Sequence, residues 1–215
     1  MAQAALRPRY LSIARALPGA MPPLRGVIAL LVVACARADY RVKFDVETEA
    51  GPGSFVIKVH EAWAPVGAAH FKKLVEKGHY DDTRFFRVIP SFMVQFGISG
   101  DPSVSAVASK DTIMDDPVIK SNKPGFVTFA KTGMPNSRST QIFINYVDNA
   151  RLDGMGFAPF GEVEGEGMKV VKTIHNCGEK PNQGQIQSKG NEYLDKAFPK
   201  LSKVVTARII DSEEL

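Results

Sequence analysis

From Tyr40 onward apolar and polar residues alternate: Tyr40, Val42, Phe44 and Val46 interleave with Arg41, Lys43, Asp45 and Glu47. After Gly51-Pro52-Gly53 the same period resumes through Phe55, Ile57 and Val59. A period of two marks strands with one buried face, so a hairpin of two amphipathic strands is predicted. Over 65–78 the period lengthens. Ala68, Phe71, Leu74 and Val75 share a helical stripe, His70, Lys72, Lys73 and Glu76 fall off it, Pro65 opens it and Gly78 stops it. Runs rich in β-branched and aromatic residues at 85–96, 125–130, 141–146, 157–163 and 204–210 read as further strands, separated by Gly, Pro, Asn and Asp clusters. A second short helix fits 168–174 through Val170, Val171 and Ile174. Many strands with one helix early and one late predict a mainly β fold, a closed or nearly closed antiparallel barrel capped by helices. No internal repeat or low-complexity segment interrupts the pattern.

The chain has 215 residues, 44% of them hydrophobic and 23% charged, which suits one domain with a well-buried core. The formal charge of +4 comes from one segment: Arg7, Arg9, Arg15, Arg25 and Arg37 precede residue 39 and no acid does. The remainder carries 22 basic and 23 acidic residues, so nucleic acid is not an expected partner. Residues 27–36 are uninterruptedly apolar and are followed by the small-x-small pattern Ala36-Arg37-Ala38. Residues 1–38 therefore read as a removable secretory signal, with Met21 as an alternative start, and 39–215 as the mature domain. An organelle transit peptide and a lipobox at Val32-Val33-Ala34-Cys35 are the alternatives. No run approaches the roughly 18 apolar residues of a spanning helix, so no stable membrane insertion is expected after cleavage. Cys177 would be left alone, without a disulfide partner. The end, Asp211-Ser212-Glu213-Glu214-Leu215, reads as an acidic tail that shares only its last two residues with a retention tetrapeptide.

Searches for familiar chemistry return little. His60, His70, His79 and His175 have no metal-ligand spacing, and neither a nucleophile elbow nor a phosphate loop is present. Asp81-Asp82 and Asp115-Asp116 read as turn and cap residues, and Gly165-Glu166-Gly167 as a bend before the second helix. The exception is Phe85-Phe86-Arg87-Val88-Ile89-Pro90-Ser91-Phe92-Met93-Val94-Gln95, where a cation and an amide stand among large apolar side chains. On a regular strand Arg87, Met93 and Gln95 would share a face, with Pro90 breaking the regularity.

This stretch closely resembles the signature of the cyclophilins, and the rest of that family's pattern follows in order. It comprises Phe129-Ala130-Lys131, Pro135-Asn136-Ser137, Thr140 to Asn145, Leu152-Asp153-Gly154 and Phe160-Gly161-Glu162-Val163. The similarity runs from about Tyr40 to Ile210. Asp115-Asp116-Pro117-Val118, Ser121-Asn122-Lys123 and the segment from Asn182 to Pro199 resemble the bacterial-type branch. The resemblance implies a closed eight-stranded antiparallel β-barrel capped by two α-helices, with peptidyl-prolyl cis/trans isomerase activity and neither cofactor nor metal. It also implies proline-containing peptides and unfolded or folding proteins as partners, acted on by a monomer. By position it assigns Arg87, Phe92 and Gln95 to catalysis and Met93, Ala130, Lys131, Phe143, Leu152 and Phe157 to substrate binding.

Three positions depart from the commonest family pattern. Arg151 stands in place of tryptophan, Phe157 in place of histidine and Lys131 in place of asparagine; Met134 is an extra loop residue. Losing the indole donor argues against tight cyclosporin binding. A proline-peptide binding module or holdase with incidental turnover is the alternative function, motivated by Arg151 and Lys131. A lipocalin-type carrier is disfavoured by bulky Phe, Val, Ile and Met at inward positions.

Overall fold

The structure, a computed structural model, describes residues 38–211. The predicted leader up to Arg37 and the chain end from Ser212 lie outside them. The first two strands, β1 (Tyr40–Thr48) and β2 (Gly51–Val59), form the expected hairpin, but its turn lies at Glu49-Ala50. The Thr48 hydroxyl accepts from Ala50 N at 3.2 Å and donates to Gly51 O at 3.1 Å, tightening that turn. Pro52 can therefore sit inside β2: β7 pairs only with Ile57–Val59, so the missing Pro52 donor is not needed there.

Helix α1 (Pro65–Glu76) follows, and then the short strands β3 (Arg87–Ile89) and β4 (Met93–Phe96). After α2 (Pro102–Ala108) come β5 (Phe126–Phe129), β6 (Ile142–Asn145) and, past a 3₁₀ turn at Ala150–Met155, β7 (Pro159–Val163). Helices α3 (Gly167–Val171) and α4 (Gln183–Ala197) precede the last strand, β8 (Lys203–Ile210). The eight strands form one antiparallel sheet in the order β3-β4-β6-β5-β7-β2-β1-β8.

The sheet curls but does not close, which corrects the expectation of a closed barrel. Among the described residues, only an isolated bridge of Arg84 and Lys203 stands between its two edges, with Phe85 N donating to Ser202 O at 3.0 Å and Val204 N to Thr83 O at 2.9 Å. The reason is local. Strand β3 has three residues before Pro90, and its outer edge is already taken: Val88 and Gly178 exchange both backbone hydrogen bonds, at 2.9 and 3.0 Å.

The interior of the curl is solid. Phe44 stacks on Phe55 at 5.2 Å and meets the edge of Phe96 at 5.8 Å, and Val42, Ile57, Val127 and Ile144 fill the space around them. Such filling leaves no room for a carrier's lumen. Helix α1 lays Phe71, Leu74 and Val75 on this core as predicted, but His70 is also buried, its Nε2 2.7 Å from Ser139 O. The start of α1 has no capping side chain of its own, since residue 64 is alanine. Asp116 supplies the cap from a distance, accepting from Val66 N at 2.9 Å and Gly67 N at 2.8 Å.

Two helices were not expected. Helix α2 is capped by Asp101, whose Oδ1 accepts from Ser103 N at 2.7 Å. Helix α4 is capped by Asn182 and bends at Gly190, where φ is 61° and ψ is −147°. Its Ile186 and Leu194 join Phe86 and Ile98 in a second apolar cluster beside the main core. The late capping helix of the barrel reading is thus shared between short α3 and longer α4.

Candidate active site

Arg87 and Gln95 meet across a hairpin rather than along one strand. The turn at Pro90-Ser91 folds the 85–96 run back on itself, so β3 and β4 pair with Arg87 directly opposite Gln95. Directly opposed residues in an antiparallel pair point to one face. The even spacing in the sequence therefore brought out the right pair through the wrong geometry. Arg87 Nη1 donates to Gln95 Oε1 at 3.2 Å, and Gln95 Nε2 donates onward to Gln141 Oε1 at 2.8 Å. On its other side Arg87 Nε donates to Glu179 Oε1 at 2.6 Å, and Nη2 touches the same carboxylate. Glu179 is brought there by Gly178, whose φ of 62° turns the chain at its pairing with Val88.

The next strand continues the site: β6 pairs with β4 so that Phe143 lies opposite Gln95. Met93, Phe143 and Leu152 form a small buried apolar cluster, with Phe92, Ala130 and Phe157 packed against it. Phe157 presents its ring to Phe143 edge-on at 6.0 Å. Leu152 comes from the 3₁₀ turn, which is pinned from below. Asn149 Nδ2 donates to Phe92 O at 3.0 Å, while buried Asn122 donates to Asp153 Oδ1 at 2.8 Å and Phe157 O at 2.9 Å. Burial pushes the Asp153 carboxyl up, but hydrogen bonds from Ser121 and Asn122 outweigh that and hold it below the ordinary range. Its charge persists, and so does the anchor.

These pieces surround one hollow of about 390 Å³. All nine residues assigned from the sequence line it: Arg87, Phe92, Met93, Gln95, Ala130, Lys131, Phe143, Leu152 and Phe157. One end is greasy and the other polar, where Ser105 and Ser109 of α2, Gln141, and Gln183 and Gln187 of α4 complete the wall. The rim carries cations over aromatic faces. Arg87 lies 5.5 Å and Arg151 4.4 Å from the Phe92 centroid, and the Lys131 ammonium lies 5.6 Å from that of Phe157. Lys131 is also 3.5 Å from Asp115.

The sequence reading missed Glu179 and the α2 and α4 contributions. Glu179 lies 92 residues from Arg87 and only sheet pairing joins them. Gln141 was within reach, because it opens the 141–146 run that already supplies Phe143 to the site.

A half-buried guanidinium held in place beside an apolar slot, with amides along one wall, is suited to gripping a peptide and touching its backbone. Comparison with known proteins points the same way. Residues 43–191 match the family model described as cyclophilin type peptidyl-prolyl cis-trans isomerase/CLD. A peptidyl-prolyl cis-trans isomerase-like 1 of Gibberella zeae is 31% identical over 175 residues, covering 79% of this chain and 97% of that protein. Peptidyl-prolyl cis-trans isomerase B of Escherichia coli is 36% identical over 131 residues, 57% of this chain and 78% of that one. Among solved structures, a cyclophilin type peptidyl-prolyl cis-trans isomerase of Cryptosporidium parvum superposes with a TM-score of 0.59 at 20% identity, over 81% of this chain and 99% of that one. That likeness bears on the fold alone; with the family match across the stretch that builds the hollow, it makes this chain a member of the cyclophilin-type peptidyl-prolyl cis-trans isomerase family.

Proposed function

We propose that the chain catalyses cis/trans isomerisation of X–Pro bonds in peptides and folding proteins, with Arg87 as the group that favours the twisted bond. The observation that carries this reading is the Arg87 fork, fixed by Gln95 and Glu179 while the guanidinium still lines the hollow. Rotation of a prolyl peptide bond is slow because amide resonance raises a barrier of about 18–20 kcal/mol. No covalent bond has to break. As the bond twists, the prolyl nitrogen becomes pyramidal and regains a lone pair, which a guanidinium N–H can meet and which the planar ground state does not offer. The donor thus binds the transition state better than the substrate. Arginine suits the task because its fork is planar, always charged and weakly hydrated, so it tolerates the Phe92 face beside it. In this reading Met93, Phe143, Leu152 and Phe157 hold the ring and exclude water, while Gln95 and the backbone at Ala130 and Lys131 fix the residue before the proline.

Arg87→Ala should lower kcat/KM for a proline tetrapeptide on the order of 100-fold, as loss of one electrostatic donor does elsewhere; equal rates for both chains would end the proposal. The holdase alternative keeps one supporting feature, the cationic rim of Arg151 and Lys131, and refolding of a proline-limited client separates the two. Catalysed refolding by Arg87→Ala would favour the holdase.

The same reading treats 39–215 as the acting domain, working as a monomer without metal or cofactor. It treats 1–38 as a leader into the secretory pathway, supported by the apolar run at 27–36 and the Ala36-Arg37-Ala38 pattern. Tagged chains with and without residues 1–38 should then differ in compartment; an organelle address would show as import elsewhere.

A further inference from the structure

Resting on the isomerase reading, we propose that Arg151 selects substrates with an acidic side chain immediately after the proline. The cations around the hollow are otherwise matched: Arg87 pairs with Glu179, Lys131 with Asp115, and buried Arg138 with Asp116. Arg151 is different. It is exposed, and among the described residues no carboxylate lies within salt-bridge distance of its guanidinium. It is nonetheless held, stacked 4.4 Å above the Phe92 ring and rooted through Leu152 in the apolar end of the hollow. A guanidinium fixed by stacking has less freedom to lose when a carboxylate arrives.

Position decides which substrate residue it meets. Along β4, Gln95 lies at the Gln141 end of the hollow, while Met93 and Phe92 lead toward the 3₁₀ turn that carries Arg151. If the residue before the proline is held at Gln95 and the ring sits among Met93, Phe143 and Leu152, the peptide leaves across Phe92. The next side chain then faces Arg151.

The test uses three otherwise identical peptides with Ala-Pro followed by Glu, Ala or Lys, and exchange spectroscopy to obtain kcat/KM without a coupling protease. An exposed ion pair contributes little by itself, but attraction for Glu and repulsion for Lys act in the same direction. The Glu:Lys ratio should be about threefold to tenfold for the native chain, near one for Arg151→Ala, and inverted for Arg151→Glu, which is a surface change and leaves folding intact. A native ratio near one, or a ratio that survives in Arg151→Ala, would overturn the proposal. If the neutral peptide is not turned over at all, the isomerase reading fails separately. Titration of the same three peptides, followed by amide shifts, then reads the selectivity: tighter binding of the Glu peptide that depends on Arg151 upholds it, and equal affinities reject it.

Discussion

Asp116 joins the start of α1 to the loop that borders the active-site hollow, and its removal should be among the costlier single changes in the domain. The residue is 5% exposed and its carboxylate does two jobs at once. It caps α1 through Val66 N and Gly67 N, which Ala64 cannot do, and it pairs with Arg138 Nη1 at 3.0 Å. Losing a cap costs about 1–2 kcal/mol. Leaving a buried arginine without its partner costs about 3–5 kcal/mol, reduced here because Arg138, at 2% exposure, keeps Met114 O and lies 3.3 Å from Asp115. Asp116→Ala should therefore cost about 4 kcal/mol, which for a domain of this size lowers Tm by about 10 °C. The double variant Asp116→Ala, Arg138→Met separates the two contributions. It removes the orphaned charge along with the cap, so it should melt above Asp116→Ala and should recover more than half of the loss. Thermal melts followed by circular dichroism read both numbers. A fall of less than about 3 °C for the single variant, or a double variant that melts lower still, would refute the assignment of Asp116 as shared cap and counter-ion.

Two further outcomes follow from buried groups elsewhere. Burial lowers the basicity of His79 and His70, whose rings lie 3.0 Å from Gly97 O and 2.7 Å from Ser139 O. Their folded values lie below the ordinary histidine value of about 6.5, so the stability they contribute is complete above that pH and is lost as pH falls below it, because the unfolded chain then binds protons first. Urea midpoints should be flat from about pH 7 to 8 and decline below about pH 6.5, and His79→Gln should make the decline shallower; an unchanged slope would refute this. At Gly190 a Cβ would stand 1.9 Å from Gly100 O, in a backbone conformation that side chains rarely adopt. Gly190→Ala should therefore part α4 from the 100–102 loop, lowering Tm and loosening the Gln183 and Gln187 wall, seen as faster amide exchange in α4 than in β1.

What the sequence revealed, and what it hid, divides along the range of the forces involved. Period-two alternation in β1 and β2 and the stripe on α1 depend on burying one face, which neighbouring residues report, and their positions were readable to within a few residues. Helix α4 is hidden because its surface is largely Gln, Ser, Lys and Asn, Ile186 and Leu194 are its buried apolar side chains, and Gly190 interrupts any helical period. Its reason for existing is tertiary: it covers Phe86 and Ile98. In the sequence the hairpin at Pro90 reads as a broken strand, since a cross-strand pair and an even spacing predict the same neighbours. Closure of the barrel was the largest departure, because it depends on which segment reaches the β3 edge first. His70 is polar and reads as lying off the buried stripe, yet Ser139 O satisfies its ring and allows the burial.

The unclosed edge bears directly on the site. Had β3 extended to pair with β8 along its length, its outer hydrogen-bonding groups would have been occupied by strand partners, and the 175–179 loop would have had no backbone to dock on. Instead Gly178 takes that place at Val88, one residue from Arg87, and its left-handed turn delivers Glu179 to the guanidinium. Arginine carries roughly 2 kcal/mol of side-chain conformational entropy. With Gln95 on one side and Glu179 on the other, much of that is surrendered on folding, so under the proposed function the donor would be aimed before the peptide arrives. A complete barrel would close the sheet more neatly and leave Arg87 held from the Gln95 side alone; the gap at β3 is what gives the guanidinium its second support.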